Sequence, residues 1–125
     1  MLLLGPSGAG KSDLALRLLD RGFRLVADDR VDLDGGFASA PAALAGMLEV
    51  RGLGLLHVPY ELAARLALVV QLGVPERLPH PARYAPLDLP LILLDPAGAS
   101  AAQRVELALD CAQGARSQPA GAFAA

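Results

Sequence analysis

Eight residues near the start, Gly5-Pro6-Ser7-Gly8-Ala9-Gly10-Lys11-Ser12, limit what this 125-residue chain can fold into more than any other stretch. They fit the spacing G-x-x-x-x-G-K-[ST], which works only where a buried strand ends and a helix begins. Both neighbours are there. Met1–Leu4 is apolar throughout and reads as the end of a buried strand. From about Lys11 to Arg21, Leu14 with Leu18 and Ala15 with Leu19 form i, i+4 pairs on one stripe, and Gly22 is placed to stop the helix.

The spacing has a chemical reason. Glycines let the backbone turn so that successive N–H groups point inward and cradle phosphate oxygens. The helix that follows directs its positive end at the same anion. Lys11 then offers a mobile cation to the β and γ phosphates, and the Ser12 hydroxyl is a ligand for Mg²⁺. Gly5, Pro6, Ser7, Gly8, Ala9, Gly10, Lys11 and Ser12 are therefore the expected nucleotide- or phosphate-binding residues of a P-loop (Walker A).

Downstream, Phe23–Ala27 reads as a second buried strand, parallel to the first through a right-handed crossover and ending at Asp28-Asp29. Carboxylates at that end would emerge at the sheet edge where α/β proteins bind ligands. One could hold the metal, directly or through water, and its neighbour could accept a proton from an attacking hydroxyl. Val31–Phe37 alternates around an Asp-Gly turn and predicts a hairpin. Met47–Val50 and Leu53–Val58 read as strands broken by Gly52 and Gly54, Tyr60–Arg65 as a short helix, and Leu66–Leu72 as a buried strand. Pro75–Pro90 is a proline-rich connection, Leu91–Leu94 a last strand, and Ser100 with Gln103 a capping box opening a helix to about Gln113. The expectation is an α/β protein: one compact P-loop domain over residues 1–113, with a mixed β-sheet and flanking helices, then a disordered tail over 114–125.

Composition removes several function classes. A formal charge of −2 with dispersed basic residues gives no footprint for nucleic acid and no basic helix for a membrane surface. The apolar start is too short for a signal peptide or a membrane span. Cys111 is the only cysteine, which excludes an internal disulfide and suits a reducing compartment; no Cys/His group has zinc-ligand spacing. A soluble cytoplasmic protein is expected.

Three blocks in order, Gly5–Ser12, Leu25-Val26-Ala27-Asp28-Asp29-Arg30-Val31 and Leu48-Glu49-Val50-Arg51-Gly52-Leu53-Gly54, resemble the catalytic C-terminal domain of HPr kinase/phosphorylase. Many P-loop proteins share the first block; the third resembles that family's signature. The similarity spans roughly Leu2 to Leu78, and the compact arrangement resembles the short alphaproteobacterial forms. The resemblance implies an ATP- and Mg²⁺-dependent protein-serine kinase that phosphorylates the phosphocarrier HPr of the bacterial phosphotransferase system. In many members the same site reverses the reaction by phosphorolysis. It further implies Lys11 on the phosphates, Ser12 and Glu49 as metal ligands with Asp28 in support, and Asp29 as general base, or general acid in reverse. Arg77 would be a catalytic arginine on the transferred group, and the chain would assemble as a homo-oligomer, a hexamer in the family.

The pattern also departs from the family's. A catalytic histidine lies upstream of the glycine loop there, whereas four residues precede the loop here, so the sequence is expected to be a fragment or to begin at an internal methionine. Absence of the upstream strands would expose a sheet edge. His57 and His80 cannot replace that histidine by chain order; His57 is expected to be partly buried and structural, His80 exposed. The Pro-Gly-Arg-Asn-like stretch tied to phosphorolysis is matched here by Leu94–Ser100, without the arginine. Two other readings compete: a small-molecule P-loop kinase, opposed by the signature block, and a non-catalytic nucleotide sensor, opposed by Asp28-Asp29, Glu49 and Arg77.

Overall fold

The computed structural model describes residues 1–28 and 30–124. Along the chain come β1 (Leu2–Leu4), α1 (Lys11–Leu19), β2 (Asp32–Asp34), β3 (Phe37–Ser39), β4 (Met47–Val50) and β5 (Gly54–His57). Then follow β6 (Ala63–Arg65), β7 (Val69–Leu72), β8 (Arg83–Tyr84), β9 (Leu89–Leu94) and α2 (Ala101–Ala112). The fold is mixed α/β, and the chain divides into two compact units, Met1–Lys11 with Leu66–Ala125, and Ser12–Arg65.

The first unit holds a mixed sheet in the order β1-β7-β9-β8. β1, β7 and β9 run parallel, with Leu2 opposite Val69 and Val69 opposite Leu91; β8 is antiparallel to β9. The apolar run at 66–72 has its physical reason here, because β7 is paired on both sides and Val69 and Val70 are fully buried. α2 packs on β9 and buries Ala101, Ala102 and Val105. Its start differs in detail from the expected capping box: Ser100 makes no side-chain cap bond, and its Oγ instead accepts from Arg104 Nε at 2.8 Å. The proline-rich stretch also contains more structure than expected, since β8 lies within it.

In the second unit α1 buries Leu14 and Leu18. It ends in a Schellman motif: Phe23 N–H reaches Leu18 O, Gly22 N–H reaches Leu19 O, and Gly22 takes φ +89°. β2 and β3 form the expected hairpin, extended by β6. Gly35 and Gly36 supply its two-residue turn at φ +56° and +85°, the positive pair that matches strand twist. A Cβ at Gly36 would meet nothing within 4 Å, so Gly36→Ala isolates backbone strain. It should lower stability by about 1–2 kcal/mol in urea unfolding, with an unchanged m-value.

Three expectations fail. No strand forms at 23–27; the segment makes a single parallel bridge, Leu25 with Tyr60, and the neighbour of β1 is β7. Residues 60–65 are not helical: Ala63–Arg65 pairs with β3, where strand hydrogen bonds outweigh the helix propensity of Glu, Leu, Ala and Arg. His57 is exposed rather than half-buried, because among the described residues β5 has a strand partner on one edge only.

Candidate functional site

β1 leads directly into the glycine loop. Ala9 N–H donates to Pro6 O at 3.1 Å, and Gly8 and Gly10 take φ of +80° and +103°, values that resist any side chain. Packing sets the loop's place on the first unit. A Cβ on Gly5 would stand 3.3 Å from Leu72 Cβ at the end of β7, and one on Gly10 would stand 3.4 Å from the Pro96 ring after β9. Neither Leu72 nor Pro96 carries a signal in the sequence. The turn bearing Pro96 is held by Ala97 N–H to Asp95 Oδ1 at 2.9 Å. Pro6, Ser7 and Gly8 form the exposed crest, while Ala9, Gly10 and Lys11 are half-buried. The Lys11 ammonium donates to Gly5 O and Pro6 O, so the cation sits over the loop's own turn.

Ser12, the next residue, belongs to the second unit and begins a different network. Its hydroxyl donates to Asp28 Oδ1 at 2.7 Å, and the other oxygen of that carboxylate accepts from Glu49 N–H at 3.0 Å. One carboxylate thus ties the first turn of α1 to β4. The sequence pointed to Ser12, Asp28 and Glu49, and the structure brings all three together, but Glu49 contributes through its main chain; its side chain is exposed. Asp28 reaches this position without the strand expected to carry it.

Arg77 belongs to the first unit, exposed in the loop that follows β7. Asp29, the expected general base, lies outside the described residues. Among the described residues no group of three or more His, Cys, Asp or Glu side chains is placed to hold a metal ion. The hydroxyl and carboxylate oxygens of Ser12 and Asp28 still suit Mg²⁺, a hard cation that takes one or two protein oxygens and fills its octahedron with water and phosphate.

The chain can be set beside known proteins. The family model described as HPr Serine kinase C-terminal domain matches residues 1–68, more than half of the chain. HPr kinase/phosphorylase from Cupriavidus metallidurans is 45% identical, over 73% of this chain and 34% of the relative. The Xylella fastidiosa protein of the same name is 40% identical, over 75% of this chain and 37% of the relative. That from Clostridium tetani is 54% identical over 47% of this chain and 21% of its own length. The chain therefore spans between a fifth and just over a third of these relatives. Among solved structures, the HPr(Ser) kinase/phosphatase from Coxiella burnetii superposes with a TM-score of 0.66 over 84% of this chain and 81% of that one. At 24% identity this likeness speaks to the fold alone.

Proposed function

Because the chain belongs to the HPr serine kinase C-terminal domain family, we propose that it transfers the γ-phosphoryl group of ATP to a serine of an HPr-type phosphocarrier, with Mg²⁺ as the metal. The observation that carries this reading is the Ser12 hydroxyl held on Asp28 immediately after the Lys11 ammonium. A hydroxyl whose proton is committed to a carboxylate presents its lone pairs elsewhere, which suits it to a cation. When bound, Mg²⁺ would supply positive charge to the β and γ phosphate oxygens.

The protein's own groups do the rest. Backbone N–H groups of Gly5–Gly10 and the start of α1 hold the phosphates, and Lys11 moves from the loop carbonyls onto the β and γ oxygens. Ser12 would hold the metal, with Asp28 in support and the Glu49 carboxylate as a further ligand. Asp29 accepts the proton of the attacking serine, and in phosphorolysis would return it. Arg77 steadies charge on the transferred group, for which a planar guanidinium is well shaped. The reading makes residues 1–113 a P-loop kinase domain of a cytoplasmic homo-oligomer, hexameric as the resemblance implies. Among the described residues, no helix is long and apolar enough to cross a membrane.

The test is transfer from γ-labelled ATP and Mg²⁺ to purified HPr, run beside an HPr variant whose acceptor serine is replaced by alanine. Label on the native carrier and none on the variant is the expected result. Nucleotide binding without transfer would remove the kinase assignment from this chain and leave a sensor. Adding inorganic phosphate and phosphorylated HPr to the same assay reads the reverse reaction.

A further inference from the structure

Asp28 can bridge Ser12 and Glu49 only if the segment carrying it and the strand carrying Glu49 keep a fixed separation. Among the described residues, neither is held by a continuous sheet: residues 23–28 make one bridge, and β4 pairs with β5. Both are instead fastened to one place, each three residues before its contribution to the bond. On one side, Leu25 pairs in parallel with Tyr60, Glu61 N–H donates to Leu25 O at 2.8 Å, and Arg24 Nε meets Glu61 Oε1 at 2.7 Å. On the other, the Tyr60 ring lies against Gly46. A Cβ there would come within 2.6 Å of Tyr60 Cδ1 and 2.8 Å of Cε1, and Gly46 takes φ +74°. Val58 N–H to Gly46 O at 2.8 Å completes the fastening.

We infer that Tyr60 is a positioning residue of the phosphoryl-transfer site: main chain on Leu25 and ring on Gly46, it sets the gap that Asp28 spans between Ser12 and Glu49. The inference rests on the reading of Ser12 and Asp28 as the metal–nucleotide side of that site. Tyr60 is 39% exposed, so its ring covers a backbone rather than filling a core. Gly46 is required for the same reason: a side chain there would displace the ring, and the left-handed backbone would resist it. The ring atoms nearest Gly46 are carbons, which Tyr60→Phe retains.

Two readouts on the full chain test this, with Tyr60→Phe and Tyr60→Ala beside the native protein. In hydrogen exchange without ligand, the Glu49 amide should exchange about tenfold faster in Tyr60→Ala and at the native rate in Tyr60→Phe. In binding of a fluorescent ATP analogue, Tyr60→Ala should lose about fivefold in affinity with Mg²⁺ present and keep native affinity in EDTA. General loosening of the fold would lower both affinities alike. Native exchange at Glu49 in a folded Tyr60→Ala, or equal loss in Tyr60→Phe, would overturn the inference. If Tyr60→Ala does not fold, Tyr60→Leu, which keeps bulk but not the flat ring, decides by the same two measurements. If the native chain binds no nucleotide, the proposed function falls, while Glu49 exchange still judges the clasp.

Discussion

Lys11→Ala should lower phosphoryl transfer to HPr by on the order of 10²–10³-fold while leaving the fold in place, since that is the usual loss when one preorganised donor is removed from developing charge. The stability side follows from where the ammonium sits. It donates to Gly5 O and Pro6 O on a loop whose crest is open to water, so those carbonyls can be solvated when the side chain is gone. Such an exchange costs about 0.5–1.5 kcal/mol at most. On the proposed reading the kinetic side is different, because water admitted to the loop would not replace a fixed positive charge on the β and γ phosphates. Lys11→Arg should recover little: a rigid fork on a longer side chain does not fit a turn that closes on a point charge. Initial rates with γ-labelled ATP, paired with thermal unfolding of each variant, make the check. Transfer within a few-fold of native in Lys11→Ala would mean that the Gly5–Ser12 loop is not the phosphate cradle.

The parts of this fold that could be read in advance are those fixed by local chemistry. An apolar run meeting glycines, a leucine stripe at i, i+4 and a glycine after it gave β1, the loop, α1 and the Schellman stop. Asp34-Gly35-Gly36 between alternating residues gave the hairpin. The failures share a different cause, the choice of partner. Leu25-Val26-Ala27 is apolar enough for a strand, yet it bridges to Tyr60, and β1 pairs with β7, forty residues further along. Glu61-Leu62-Ala63-Ala64-Arg65 is good helix material, yet β3 leaves an edge that β6 fills. The site divides in the same way. Lys11 and Ser12 would act through their side chains and sit in a motif, so an expectation about them can be drawn from residue identity and spacing. Glu49 acts on Asp28 through a backbone N–H, a group every residue but proline possesses, and no spacing rule announces it. Pro96 against Gly10 and Tyr60 against Gly46 are shape contacts, which pattern does not encode.

The carboxylate of Asp28 offers the second large effect. Its two oxygens each serve one donor, Ser12 Oγ–H and Glu49 N–H, at 2.7 and 3.0 Å. Asp28→Ala should weaken the apparent affinity for Mg²⁺ in the transfer reaction by roughly 10–100-fold, the usual cost of removing a group that orients a metal ligand. Without the acceptor the Ser12 hydroxyl is free to turn its proton toward the cation, and negative charge behind the ligand is lost. Asp28→Asn separates geometry from charge. The amide keeps the shape but has a single acceptor oxygen, so it can satisfy Ser12 or Glu49 and must turn an N–H₂ donor toward the other. It should therefore fall between native and Asp28→Ala, and high Mg²⁺ should restore much of its rate. Folding should change by only about 1 kcal/mol in either variant, because both donors lie where water can replace the carboxylate. Titrating Mg²⁺ at fixed ATP and HPr, with thermal unfolding of each protein, reads these terms separately. A native Mg²⁺ requirement in folded Asp28→Ala would place the metal away from Ser12 and Asp28. A rate that no concentration of Mg²⁺ restores in Asp28→Asn would assign this carboxylate a role in proton transfer instead.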